Sequence, residues 1–188
     1  NPVNSYIAIV GDFKTSDVKK QIKKHFADWK KREKVKVEFL EPTNSVETEI
    51  IFVDIPNAVQ SEIAVLNTTS LDKNNPDYFA AILANQILGG GGEARLFLNL
   101  REDKGYTYGA YSRMSDSHKT KALFKATTSV RNAVSDSAVV EMIYEVDRIG
   151  SELVTDEELE IVKAKYAGNF VISLEDPETI ANFALNIK

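Results

Sequence analysis

Leu88–Ser112, LGGGGEARLFLNLREDKGYTYGAYS, runs from four consecutive glycines through a short apolar-patterned segment ending at Arg101 into a tyrosine-rich alternating run. A turn between two helices needs one left-handed glycine, not four. Gly89, Gly90, Gly91 and Gly92 therefore read either as a plain turn or as a loop that flexes or admits another backbone at close range. They follow a helical pattern, and no Gly-Lys-Ser/Thr occurs, so a phosphate cradle does not fit. Leu96, Phe97 and Leu100 predict the inward face of a short helix over 94–103. Tyr106 and Tyr108 stand two apart on the strand predicted over 106–114, so they are expected to share a face. If the turn at Glu102–Gly105 reverses the chain, Arg101 and one tyrosine converge. A guanidinium and a phenol both donate hydrogen bonds, which suits a peptide carbonyl oxygen gaining negative charge during attack. The plainer alternative pairs Arg101 with Glu102 or Asp103 at the surface and leaves the tyrosines as strand formers.

The chain around this stretch has 188 residues, 43% hydrophobic and 27% charged, as in an ordinary globular protein with a core of useful size. Without cysteine, disulfides and thiolate metal sites are excluded. No apolar run approaches the roughly 20 residues that span a bilayer, and no signal peptide opens the chain. A soluble protein, cytoplasmic or periplasmic, is expected. Of the net charge of −5, residues 1–36 contribute +6 and the remainder −11. The basic end lacks the aromatic platforms of a nucleic-acid surface and reads as a solvated helix face with a Lys-rich linker. The sequence begins on a strand-like pattern and stops inside a helical one, as a piece of a longer polypeptide would.

Tyr6–Phe13 predicts a strand, and Val18, Ile22, Phe26 and Trp29 form one stripe of the helix that follows. Residues 30–36 resemble a linker, which puts a domain boundary near 35: the end of one domain over 1–34, and a second over 35–188, truncated at its C-terminus. Strands are expected at Val35–Leu40, Glu47–Ile55 and Ser61–Thr69, with turns at Pro42 and Pro56-Asn57. Asn75-Pro76-Asp77 opens a helix whose stripe is Tyr78, Ile82, Leu83, Ile87 and Leu88. Lys121–Val130 predicts another strand. Helices follow over 135–151, with Val139, Ile143 and Val146 on one face, over 156–174 from a Thr155–Glu158 capping box, and after Pro177. The whole pattern predicts an α+β fold: an antiparallel sheet with helices packed on one face.

His25 and His118 lack a second histidine at helical spacing, so no zinc site in this chain is expected. At Leu88–Ala110 the sequence closely resembles the signature of the C-terminal, non-metal-binding domain of pitrilysin/insulinase-like zinc peptidases, the group that includes mitochondrial processing peptidase. Val53–Ser61 (VDIPNAVQS) and Ile9-Val10-Gly11-Asp12 resemble further parts of that family. Glu93-Ala94 departs from it, standing where Ser or another small polar residue is common before Arg95. The resemblance implies a curved antiparallel sheet covered by helices, one of two such domains closing around an unfolded peptide. It places zinc in an H-x-x-E-H motif of the metal-binding N-terminal domain or a partner subunit, with no cofactor in this chain. Arg101 and Tyr108 match the family's pair that reaches the scissile carbonyl, and Tyr106 matches less well. Gly89–Gly92 would line the substrate. Alone, such a chain is expected to bind no zinc and cleave nothing. The competing expectations are a non-catalytic scaffold subunit of the same fold and a plain peptide-binding module. No nucleic-acid partner and no membrane segment are expected.

Overall fold

The computed structural model describes residues 2–33, 36, 38–115 and 120–187. Two compact units emerge, one of residues 1–38 with 165–188 and one of residues 39–164. The second unit carries the glycine-rich stretch and its surroundings.

In the first unit, helix α1 (Thr15–Phe26) presents the expected apolar stripe, and the Phe26 and Trp29 rings meet at 5.4 Å. The strand expected at Tyr6–Phe13 is absent, and Tyr6, Ile7, Ile9 and Val10 are 45–63% exposed. A strand exists only by closing a ladder with a neighbour, and apolar alternation alone does not supply one.

In the second unit, strands β1 (Gln60–Thr69), β2 (Thr107–Met114) and β3 (Ala122–Arg131) form an antiparallel sheet in the order β1-β3-β2. Its register pairs Ile63 and Ala110 with Thr128, and Val65 and Ser112 with Ala126, so these residues face one side together. The helices of this unit are α2 (Tyr78–Gly89), the short α3 (Arg95–Phe97), α4 (Ser135–Ser151) and the start of α5 (Asp156–Ser173). The last helix, α6 (Pro177–Asn186), belongs to the first unit and begins where Asp176 accepts a hydrogen bond from the Glu178 amide at 2.9 Å. On the covered face of the sheet, Leu88, Leu96, Leu100, Ala138 and Met142 close over Ala110, Ala126 and Val130. Four of these eight are Ala or Val, small side chains that let the covering helices lie close to the sheet.

Neither of the other two early strands is seen among the described residues. Val35 and Val37 lie outside the described residues, and the described remainder of 35–40 is not strand. Glu47–Ile55 is likewise unpaired, with Ile50, Ile51, Phe52 and Val53 at 73–85% exposure. The outer edge of β1 is instead met by one side chain: Asn44 donates to the Thr68 carbonyl at 2.7 Å and accepts from its amide at 2.8 Å. An amide side chain carries the same donor and acceptor as a peptide group and so caps the edge at that point.

Two helices follow the expected stripes only in part, α2 through Ile87 and Leu88 and α4 through Val146. Helix α2 begins at Tyr78, because Asn75 is used in a turn that accepts the Asp77 amide at 2.9 Å. Its buried residues are Asn85, Ile87, Leu88 and Gly89, the polar Asn85 being satisfied by the Ser112 hydroxyl at 2.8 Å. Helix α4 buries Ala138, Met142 and Glu145 rather than the Val139/Ile143 stripe. Glu145 is tolerated there because the Asn99 amide and the Arg148 guanidinium reach its carboxylate. The capping box forms as expected: Thr155 N–H donates to Glu158 Oε2 at 2.9 Å, and Glu158 N–H to Thr155 Oγ1 at 3.1 Å.

Candidate functional site

The glycine run is an anchor followed by an open turn. Gly89 ends α2 and lies against β2 so tightly that a Cβ there would sit 2.2 Å from the Ser112 nitrogen. Gly90 caps the helix, its N–H donating to the Gln86 carbonyl at 3.0 Å, and Gly92 is exposed. Close packing thus explains the first glycine, and the last is open to solvent.

Arg95 follows immediately and is 6% exposed. Its fork grips the Glu158 carboxylate, Nε to Oε1 at 2.7 Å and Nη2 to Oε2 at 2.9 Å. The same carboxylate completes the capping box of α5. The guanidinium of Arg95, helped by the Thr155 amide and against partial burial, lowers the Glu158 carboxyl from 4.5 to about 2. Sequence reading assigned Arg95 no role. Its only signal there was a charged residue at the start of an otherwise inward Leu-Phe pattern.

The expected helix over 94–103 changes pitch partway. After α3, residues Leu98–Asp103 adopt a π-helix, which in proteins is short, uncommon and frequent at functional sites. Three ties hold it: Leu100 in the core, Asn99 Nδ2 donating to Glu141 at 3.0 Å and Glu145 at 2.8 Å, and the Arg95 fork at its foot. Lys104 stands at its end, held protonated beyond its usual range by Asp103 and then Glu141. The turn then reverses the chain as expected. Gly105 takes φ +61°, its N–H donates to the Arg101 carbonyl at 3.2 Å, and Tyr106 N–H donates to the Leu100 carbonyl at 2.9 Å. A left-handed residue at that point is the usual close of a helix.

Arg101 lies in the π-helix, 4.7 Å above the Phe97 ring centroid, with Glu102 at 3.6 Å and its side chain 45% exposed. The surface pairing with Glu102 expected as the plainer alternative is therefore present. Tyr106 and Tyr108 do not share a face. Tyr106 packs against the core, whereas Tyr108 is 89% exposed. The cause is a bulge: Thr107 pairs with Val130 but Ala110 with Thr128, so the alternation is interrupted between them. Hydroxyls satisfy the displaced backbone. Thr107 Oγ1 accepts from Gly109 N–H at 3.1 Å and donates to the Ser129 carbonyl at 2.7 Å, while Thr128 Oγ1 donates to the Gly109 carbonyl at 3.0 Å. The bulge turns Tyr108 outward, and no sequence rule used above locates it.

No group of three or more His, Asp or Glu side chains suited to a metal ion occurs among the described residues, and His118 lies outside them. Among the described residues no helix is long and apolar enough to cross a membrane.

A three-stranded antiparallel sheet covered by helices on one face makes this unit an α+β domain, in which Arg101 and Tyr108 stand exposed after the glycine loop. The family profile described as Peptidase M16 inactive domain matches residues 1–166, and the chain belongs to that family. It is 30% identical over 112 residues to the uncharacterized zinc protease YmxG of Bacillus subtilis, covering 58% of this chain and 27% of that protein. Among solved structures it is similar to a peptidase M16 inactive domain from Pseudomonas fluorescens, at 29% identity and a TM-score of 0.56 over 59% of this chain and 27% of that one. A protease from Helicobacter pylori shares the fold over 92% of this chain and 42% of its own, with a TM-score of 0.78 at 19% identity. The chain thus spans about a quarter of the length of the Bacillus and Pseudomonas relatives.

Proposed function

We propose that this chain is the metal-free, substrate-holding half of a pitrilysin/insulinase-type zinc peptidase, in which Arg101 and Tyr108 donate hydrogen bonds to the carbonyl oxygen of the scissile peptide bond. One observation carries this reading: the two donors flank a single helix-to-strand reversal, and each keeps its polar end in solvent while its backbone is fixed. The π-helix and its ties to Asn99 and Arg95 fix the arginine, and the hydroxyl-braced bulge fixes the tyrosine. Donors whose backbones are already ordered lose little freedom when charge develops on the bound oxygen, which is the condition for efficient electrostatic stabilisation.

In this reading residues 1–34 close a preceding domain and 35–188 supply most of the substrate-holding one. Zinc and the attacking hydroxide belong to a metal-bearing domain in the same polypeptide or in a partner subunit. The described residues of this chain offer no ligand set for that ion, so the role proposed for them is confined to binding, orienting and polarising the peptide. Gly90–Gly92 would let the substrate backbone approach the loop, Gly89 serving to pin the loop to β2. Tyr106, packed on the core, would brace the reversal rather than touch the peptide.

The test is Arg101→Ala and Tyr108→Phe in the complete enzyme, assayed on an unfolded peptide. Each is expected to lower kcat by about 10²–10³, the usual effect of removing one oxyanion donor. Hydrolysis within twofold of the parent for both, with the fold intact, would reject the role and favour a scaffold.

A further inference from the structure

We propose that Phe97 is a positioning residue for Arg101, its ring face holding the guanidinium where the scissile carbonyl is bound; this rests on the role proposed for Arg101 above. The Arg101 Cζ lies 4.7 Å from the Phe97 ring centroid, inside the range in which the negative face of an aromatic ring attracts a cation. Glu102 approaches its Nε at 3.6 Å with both side chains about half exposed, a pair too solvated to fix a long side chain. Phe97 itself is buried. It is 7% exposed, its flanking Leu96 and Leu100 have no exposure, and Tyr111 supports it with ring centroids 6.0 Å apart.

Tyr111 is in turn laid down over Gly109. A Cβ at position 109 would lie 2.6 Å from the Tyr111 Cε2 atom, so only glycine leaves the ring this place. Gly92 comes to the same aromatic, its missing Cβ being 3.8 Å from the Phe97 ring. The glycine loop and the arginine therefore meet on the Phe97 ring, and the bulge reaches it through Tyr111. Phe97 touches no reacting atom. It acts by narrowing the conformations available to Arg101, so that less freedom is lost when the transition state forms.

Replacing Phe97 by trifluorophenylalanine keeps the shape of the ring while weakening its negative face. In the complete enzyme kcat is expected to fall about two- to fivefold, the rate equivalent of a ring–cation contact at a partly exposed site. KM should be unchanged, and no further loss should appear in an Arg101→Ala background. A merely structural ring would not respond to fluorination. Unchanged kcat in the fluorinated enzyme, beside a large loss in Arg101→Ala, overturns the inference. If Arg101→Ala itself has no effect, the proposed function fails instead, and proton resonances decide the positioning in the full chain. The Arg101 side-chain protons are expected upfield under the ring current and should return to ordinary positions in Phe97→Leu. Their lying at ordinary positions in the parent chain overturns the inference whatever the kinetics.

Discussion

Glu158→Gln removes one charge and keeps the shape of the side chain that joins the foot of the π-helix to the start of α5. In the parent protein the carboxylate receives both N–H groups of the Arg95 fork and the Thr155 amide. Lowering its ionisation from 4.5 to about 2 corresponds to about 3 kcal/mol of preference for the charged form in the folded chain. Its side chain is 30% exposed, and solvent screening brings the usable figure to about 2 kcal/mol. The glutamine retains a single carbonyl acceptor and leaves Arg95 buried without a counter-charge. Arg95 Nη1 is already without a hydrogen-bond partner among the described residues, which makes that loss harder to absorb. The expected destabilisation is therefore about 2–4 kcal/mol near neutral pH.

The pH dependence has a definite sign. Because the folded-state value lies below the ordinary one, the stabilisation is complete above about 4.5 and is lost as pH falls towards about 2. Urea unfolding followed by far-ultraviolet circular dichroism at several pH values is the assay. The gap between parent and variant should narrow steadily below pH 4.5. A variant within about 0.5 kcal/mol of the parent at neutral pH, or a gap that persists undiminished at pH 2, refutes the reasoning.

Gly89→Ala should destabilise by about 1–3 kcal/mol in the same urea assay, since the added carbon would press on the backbone of Ser112 and not on a yielding side chain. Gly105→Ala should cost about 1 kcal/mol in a thermal melt, from the left-handed φ alone, because nothing lies within 4 Å of the new methyl group. Leu100→Ala should cost about 2–5 kcal/mol, as a fully buried leucine at the centre of the second unit's core. Tyr108→Phe, by contrast, should leave the unfolding midpoint unchanged, because the residue is 89% exposed; a shifted midpoint would mean that its hydroxyl has a structural partner.

Local chemistry was legible in the sequence wherever one segment could satisfy itself. The capping box at Thr155–Glu158 and the reversal at Gly105 depend on neighbours a few residues away, and both form as read. The inward positions Leu96, Phe97 and Leu100 followed from spacing, and the α+β class from the succession of elements. The central motif carries the resemblance to pitrilysin/insulinase-like peptidases, and the Peptidase M16 inactive domain profile matching residues 1–166 agrees.

What depended on a distant partner was not legible. The strands expected at Tyr6–Phe13 and Glu47–Ile55 have the right alternation but no ladder, because pairing is decided by which edge is free and near, not by the segment itself. Glu145 faces inward against its own polarity because Asn99 and Arg148 meet it there. Tyr108 is turned from the side of Tyr106 by a one-residue excess on β2, held by hydroxyls on two strands. The residue types at Arg101 and Tyr108 were set by sequence. Their exposure, and the ring beneath the arginine, were set by contacts between segments that only folding brings together.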